Sequence, residues 1–510
     1  MLLIRSTAPK STDIDPATIT ANIDTSERDG FSYDPSSPPP AFGHDMLKYF
    51  GFDKEYVNVN HGSYGSLPLP VLAECNKLTL LAEANPDKWH RVTYMPLLVK
   101  AREEVATLIH AEHDEVVIVV NTTHGINAIM RNIEWREGDV ILNTTVTYGA
   151  VARTAQYMAD RSEAPRPKVY TVELTFPMTH AEIVAAFRAK IKEIKKNHPN
   201  TVFDILPTDT KLEGKGNRIV AIIDSISSNP GMYQPWKEMV KVCEEEGVWS
   251  LIDAAHSIGQ ELNIDLGATQ PDFWVSNCHK WLFAKRGCAV VYVPKRNQHI
   301  IRSTMPTSHE YPSVESVRET SDTKFVLQHQ WTGTMDFIPF LSVIAALKFR
   351  KWLGGEDVIN GYTHKLAYEG GKHLASIFGT EVMDPSGEAT LSMTNVRLPL
   401  PVEGTGPDAR PIYTKAVQAQ IARFLQQRFF ETWNTHPGVY VHSGAVWARI
   451  SVQVWTELAD FEYVGKAMIS ICKEIEEEIL ANATEENEIN EEKASEETVD
   501  SEKATGCWIA

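Results

Sequence analysis

Between residues 98 and 293 the apolar positions follow two alternating rhythms. Short continuous apolar runs predict buried β-strands at Glu115 to Val120, Asp139 to Asn143, Lys168 to Val172, Arg218 to Asp224, Val248 to Asp253, Phe273 to Val275 and Gly287 to Val293. Among them, apolar residues three and four apart predict helices at Leu98 to His110, Gly125 to Asn132, Ala181 to Lys196 and Trp236 to Glu246. Strands that are apolar on both faces and alternate with helices predict a mainly parallel sheet covered on both sides. Such sheets bind ligands outside the carboxyl ends of their strands. After about Gly333 the pattern becomes mixed. Strands at Ser392 to Leu398 and Ala448 to Val454, with helices at Thr414 to Phe430 and Phe461 to Ile479, predict a smaller α/β domain. The expected division is an irregular segment 1–43, closed by Ser36-Ser37-Pro38-Pro39-Pro40, a large domain 44–335, a small domain 336–480 and an acidic tail 481–510.

Composition narrows the function classes. The 510 residues are 43% hydrophobic and 23% charged, an ordinary globular balance. A net charge of -18 argues against nucleic acid or an anionic membrane as partner. Part of that charge lies in the tail, where nine acids face only Lys493 and Lys503, so the tail is expected to stay disordered. No apolar run approaches the ~18 residues that a membrane span needs. Six scattered cysteines suit a reducing cytoplasm. The terminal Cys507-Trp508-Ile509-Ala510 fits a prenylation pattern, but its neighbours are acidic, and the match is read as coincidence.

The chemistry concentrates at strand ends. Ser276-Asn277-Cys278-His279-Lys280-Trp281 puts a lysine just past an apolar strand, a placement that suits a Schiff base with pyridoxal phosphate (PLP). Upstream, Leu251-Ile252-Asp253-Ala254-Ala255-His256 ends a buried strand on an aspartate, which calls for a cation such as a protonated pyridine nitrogen. His256 is placed to reach the ring hydroxyl, or is a satisfied core histidine. Asn121-Thr122-Thr123-His124-Gly125 opens a helix, where free amides and the threonine hydroxyls form a phosphate cup, or the threonines simply cap it. Tyr148 follows another strand as a stacking ring and acid, or as a buried tyrosine. Arg449, inside an apolar strand, suits a substrate carboxylate or an internal ion pair.

Together these segments resemble the class V aminotransferase family of fold type I PLP enzymes, over roughly residues 44 to 475. Asn60-His61-Gly62-Ser63-Tyr64-Gly65 is similar to the family's N-terminal motif, and Trp331-Thr332-Gly333-Thr334 to a loop that reaches the neighbouring subunit's cofactor phosphate. The resemblance implies a large domain with a mainly parallel seven-stranded sheet plus a small C-terminal α/β domain, assembled as a homodimer with no metal. It implies that Lys280 and Tyr148 are catalytic. Thr122, Thr123, Tyr148, Ser228, Asp253, His256, His279, Lys280 and Thr334 would hold the cofactor, and Asn60, His61 and Arg449 the substrate. Ser228 stands where many members carry asparagine. Residues Asn277 to Ser308 are similar to a fungal branch of hercynylcysteine sulfoxide lyases, and also to isopenicillin N epimerase-like proteins and loline-pathway cyclases. The implied reaction is carbon–sulfur β-elimination, with epimerisation, cyclisation or transamination as outcomes of the same deprotonated carbon. A catalytically silent dimeric relative is the non-enzymatic alternative, and the presence of Lys280 and Asp253 argues against it. Cysteine desulfuration is disfavoured, because Cys472 is the only cysteine between Gly333 and Ala481 and sits in a helical stretch.

Overall fold

Strands Val116–Val119 (β1), Val140–Thr144 (β2), Lys168–Val172 (β3), Ile219–Asp224 (β4), Trp249–Asp253 (β5), Phe273–Asn277 (β6) and Ala289–Tyr292 (β7) form one sheet in the order β1-β7-β6-β5-β4-β2-β3. Only β7 runs against the others. The computed structural model describes residues 29–161, 166–203, 216–302, 324–404 and 412–481. The first 28 residues, the acidic tail from 482 and Cys507 lie outside the described residues.

Every residue of β4, β5 and β6 is buried, and apart from Ser250 and Ser276 these strands are apolar up to their last residues, Asp224, Asp253 and Asn277. These last residues lie at the carboxyl ends of neighbouring strands, and Asp224 and Asp253 are direct register partners.

Helices of ten or more residues cover the sheet. They are Leu69–Ala84 (α1), Tyr94–Leu108 (α2), Thr122–Asn132 (α3), Gly149–Asp160 (α4), His180–Asn197 (α5), Trp236–Glu246 (α6) and Ile338–Trp352 (α7). Helices α1, α2 and α7 pack together on one face, while α3 and α4 lie on the other. Gly125 lets α3 approach the sheet closely, since a methyl there would fall 2.7 Å from Val275 and 2.8 Å from Val291. A second, antiparallel sheet joins Met393–Arg397 (β8), Ala445–Ser451 (β10) and Gly438–His442 (β9) in the order β8-β10-β9. Helices Glu356–Phe378 (α8), Lys415–Arg428 (α9) and Leu458–Ile475 (α10) enclose its own apolar core.

Several elements depart from the sequence reading. Helix α3 begins three residues early, because the Asn121 side chain accepts a bond from the His124 amide. Strand β10 is displaced toward the N-terminus. The chain leaves the small sheet after Ser451, where the Ser451 amide bonds Val59 and the Val452 amide bonds Ser392. Helices α1 and α7 have apolar residues on nearly every side, so no clear periodicity marks them. Among the described residues no helix is long and apolar enough to cross a membrane.

Candidate active site

The loop after β6 carries Lys280, and three neighbours fix its path. Gly65, at φ +70°, lies against the His279 carbonyl so tightly that no side chain fits between them. Arg286 clamps the same segment by donating to the Tyr64 and Gly65 carbonyls at 3.2 and 2.8 Å. From below, buried Arg350 of α7 donates to the carbonyls of Trp281 (2.8 Å) and Gly259 (2.9 Å) while pairing with Glu356 at 2.6 Å. Phe283 is held at φ +70°, an uncommon conformation for a bulky residue, at the turn that returns the chain toward β7.

Lys280 is partly buried, and its amine lies 3.0 Å from His256 Nε2. Burial and the nearby Arg449 charge lower its pKa from 10.5 to about 7, against the opposing pull of Asp253. Asp253 is 2% exposed. Oδ1 accepts the Ala255 amide at 3.1 Å, and Oδ2 is buried without a partner among the described residues. Burial raises the Asp253 carboxyl to about 6, and the Ala255 amide and Lys280 hold it down. His256 is buried and kept neutral, chiefly by burial and then by Lys280. His279 bonds the Cys288 carbonyl through Nδ1 at 2.9 Å, and burial lowers its pKa to about 4.

Arg449 of β10 is 2% exposed and is held entirely by neutral groups. Nη1 donates to the Ser228 carbonyl (2.7 Å) and hydroxyl (3.3 Å), and Nη2 to Asn60 Oδ1 (2.9 Å) and Ser63 Oγ (2.8 Å). No acid pairs with it among the described residues, and Nε has no partner there. Burial lowers its pKa to about 10, still a full cation at neutral pH. Glycines make room for it, since a methyl on Gly231 would fall 2.9 Å from Arg449 Cδ. An internal ion pair, the bland alternative for this arginine, is absent there.

The remaining expected site residues divide. Thr122 is buried at the start of α3, its amide bound to Asn277 Oδ1 at 2.9 Å and its hydroxyl without a partner. Thr123 is exposed. Neither threonine caps the helix; Asn121 does. Tyr148 precedes α4 with its ring half exposed. Ser228, expected to hold the cofactor, is turned to Arg449, its carbonyl and hydroxyl accepting from Nη1. His61 was expected to bind substrate. It is a core residue, 1% exposed, packed edge-on against Trp281, Phe283 and Trp455, and burial lowers its pKa to about 3. Thr334 is exposed and lines a separate cavity of about 450 Å³ with His90, Tyr94 and Trp331.

Three contributors escaped the sequence reading. Asp224 is buried beside Asp253, and its pKa is raised by burial and by that neighbouring carboxylate. Its placement at a strand end, like that of Asp253, was the available signal. Arg350 and Ser63 carry no such signal, because each acts through contacts with residues distant in sequence.

These groups fit PLP. A lysine near its free-base form, a buried carboxylate oxygen without a partner and a buried hydroxyl without a partner at a helix N-terminus are the groups that an imine, a pyridinium and a phosphate require. Among the described residues no cluster of His, Cys, Asp or Glu could hold a metal ion.

Known proteins agree with this frame. The sequence matches the family Aminotransferase class-V over residues 65–175 and 175–401. It is 35% identical to the L-cysteine desulfhydrase-like protein lolT1 of Epichloe uncinata, over 85% of this chain and 96% of that protein. It is 30% identical to the hercynylcysteine sulfoxide lyase of Schizosaccharomyces pombe, over 84% and 98%. Among solved structures it resembles a C-DES variant with glycine covalently linked to its PLP cofactor, with a TM-score of 0.63, 16% identity and coverage of 83% and 98%. The chain belongs to the class V aminotransferase family.

Proposed function

We propose that this enzyme is a PLP-dependent carbon–sulfur β-lyase acting on a cysteine S-conjugate, with hercynylcysteine sulfoxide as its substrate. The observation that carries the reading is a lysine near its free-base form in the same cluster as a buried arginine that no acid pairs with among the described residues. Arg449 is a desolvated cation whose missing counter-ion a substrate carboxylate would supply.

When bound, PLP supplies an electron sink for the pair left on the carbon that bears the substrate's amine. Lys280 would hold the cofactor through Nζ, and its free amine is the base that takes the substrate's α-proton. Asp253 Oδ2 would pair with the pyridine nitrogen. Thr122 Oγ1, Thr123, the first amides of α3 and His279 would hold the phosphate, together with Thr334 of a second copy in a homodimer. Arg449, oriented by Asn60, Ser63 and Ser228, fixes the substrate carboxylate. The Tyr148 hydroxyl gives its proton to the oxygen of the departing sulfenate. Loss of the α-proton and cleavage of the Cβ–S bond release a sulfenic acid and an aminoacrylate, which hydrolyses to pyruvate and ammonia.

Among the described residues every cysteine is buried, and burial raises the Cys472 thiol to about 12. No mobile thiolate is therefore available there to take sulfur as a persulfide. The similarity to a hercynylcysteine sulfoxide lyase supports the choice of substrate. The test is pyruvate release from hercynylcysteine sulfoxide, compared with L-cysteine, in deuterated water. Pyruvate from the sulfoxide supports the lyase. Deuterium at the α-carbon without pyruvate identifies an epimerase instead.

A further inference from the structure

Two buried contacts run in series behind the lysine. The Trp281 indole Nε1 donates to His256 Nδ1 at 3.1 Å, and His256 Nε2 lies 3.0 Å from Lys280 Nζ. We infer that Trp281 is a positioning residue that locks the tautomer of His256, so that the imidazole offers Lys280 an N–H donor and favours the lysine as a free amine. The inference concerns residues of this chain in the site proposed above and rests on that reading for its consequence in catalysis.

An indole nitrogen donates and never accepts. Facing it, His256 Nδ1 must be an unprotonated acceptor. A neutral imidazole carries one proton, so that proton sits on Nε2. Protonating both nitrogens would set two donors against each other at Nδ1, and burial already opposes the imidazolium. Nε2–H therefore points at Lys280. A neutral amine accepts that bond, whereas an ammonium has only donors and loses it. The lock thus acts in the same direction as burial and the Arg449 charge, and against Asp253. His61 and His279, the other titratable groups beside His256, are both held neutral by burial.

Neither end of the relay is free to drift. Trp281 is 1% exposed, its carbonyl is held by Arg350, and Gly259 packs against its backbone. Gly62 leaves the indole just enough space, since a methyl there would fall 3.1 Å from its six-membered ring. The His256 carbonyl accepts from Gln260 at 2.8 Å.

The test is the pH midpoint for acetylation of Lys280 in the full-length, cofactor-free chain, read by mass spectrometry with acetic anhydride as the probe. Trp281→Phe keeps a ring but removes the N–H, so His256 can move its proton to Nδ1 and accept from the ammonium. The expected result is an upward shift of the midpoint by about one pH unit, a tenfold change in the lysine equilibrium. His256→Gln should restore a near-wild-type midpoint in the presence of Trp281, because one amide can accept from the indole and donate to the amine. An unchanged midpoint in Trp281→Phe overturns the inference. Should that variant fail to fold, ¹⁵N NMR of wild-type His256 decides: a proton on Nε2 supports the lock, and a proton on Nδ1 overturns it. Failure of the function reading would be seen separately, as a purified chain that takes up no PLP and develops no colour.

Discussion

Gly259 lies directly beneath Trp281: a methyl on Gly259 would fall 2.6 Å from the Trp281 carbonyl carbon, and φ there is +85°. The glycine lets the turn after β5 pass against the backbone that follows Lys280. Gly259→Ala should destabilise the fold by on the order of 2–3 kcal/mol through combined clash and backbone strain. Thermal unfolding checks this, and the loss should exceed that of Gly361→Ala, at a helical site with open space around it.

Arg350 gives a second structural prediction. Its fork bonds Glu356 and the carbonyls of Gly259 and Trp281 from a buried position. Arg350→Ala leaves those carbonyls without a donor and should cost about 3 kcal/mol. Arg350→Lys retains the charge but not the fork and should recover only part of it. Denaturant unfolding of the two variants measures the difference.

The sheet and the chemistry at its edge were legible because both leave local marks. Asp253 and Lys280 stand where an apolar run stops, and β4, β5 and β6 are apolar on both faces. The register of β10 was misread because Val452 and Val454 remain apolar and buried after the strand has ended. Helices α7 and α8 were missed, α7 because burial all round erases periodicity. The roles of His61 and Ser63 depend on partners hundreds of residues away, Trp455 and Arg449, and no window of sequence contains such pairs.

The lowered pKa of Lys280 makes a pH prediction. Below about 7 the ammonium dominates and cannot attack an aldehyde; above it the amine is available. The rate at which the cofactor-free chain captures PLP should therefore rise about tenfold per unit below the midpoint and level off above about pH 7. Stability of the cofactor-free chain should also rise with pH between about 7 and 10.5 from this group, because there the unfolded lysine binds a proton that the folded one does not. A capture midpoint near 10 would show that Lys280 is an ordinary solvated lysine.

Asp253 should matter more to turnover than to cofactor retention. Asp253→Asn leaves Thr122, His279 and Lys280 in place but removes the charge that the proposed mechanism pairs with the ring nitrogen. The expected loss in kcat is on the order of 10²–10⁴-fold, with PLP still bound. Removing the Asp253 charge also relieves its neighbour, so the Asp224 pKa should fall. Steady-state kinetics together with the PLP content of the purified variant check this.

If Lys280 and Arg449 together drive carbon–sulfur cleavage of an amino-acid substrate, the yield of pyruvate and ammonia from hercynylcysteine sulfoxide with the PLP-loaded wild type, Lys280→Ala and Arg449→Ala decides it. The expected result is equimolar pyruvate and ammonia from the wild type, none from Lys280→Ala, and a sharply raised KM in Arg449→Ala. Wild-type protein that binds PLP yet releases neither product, or a Lys280→Ala variant that still releases both, would contradict it.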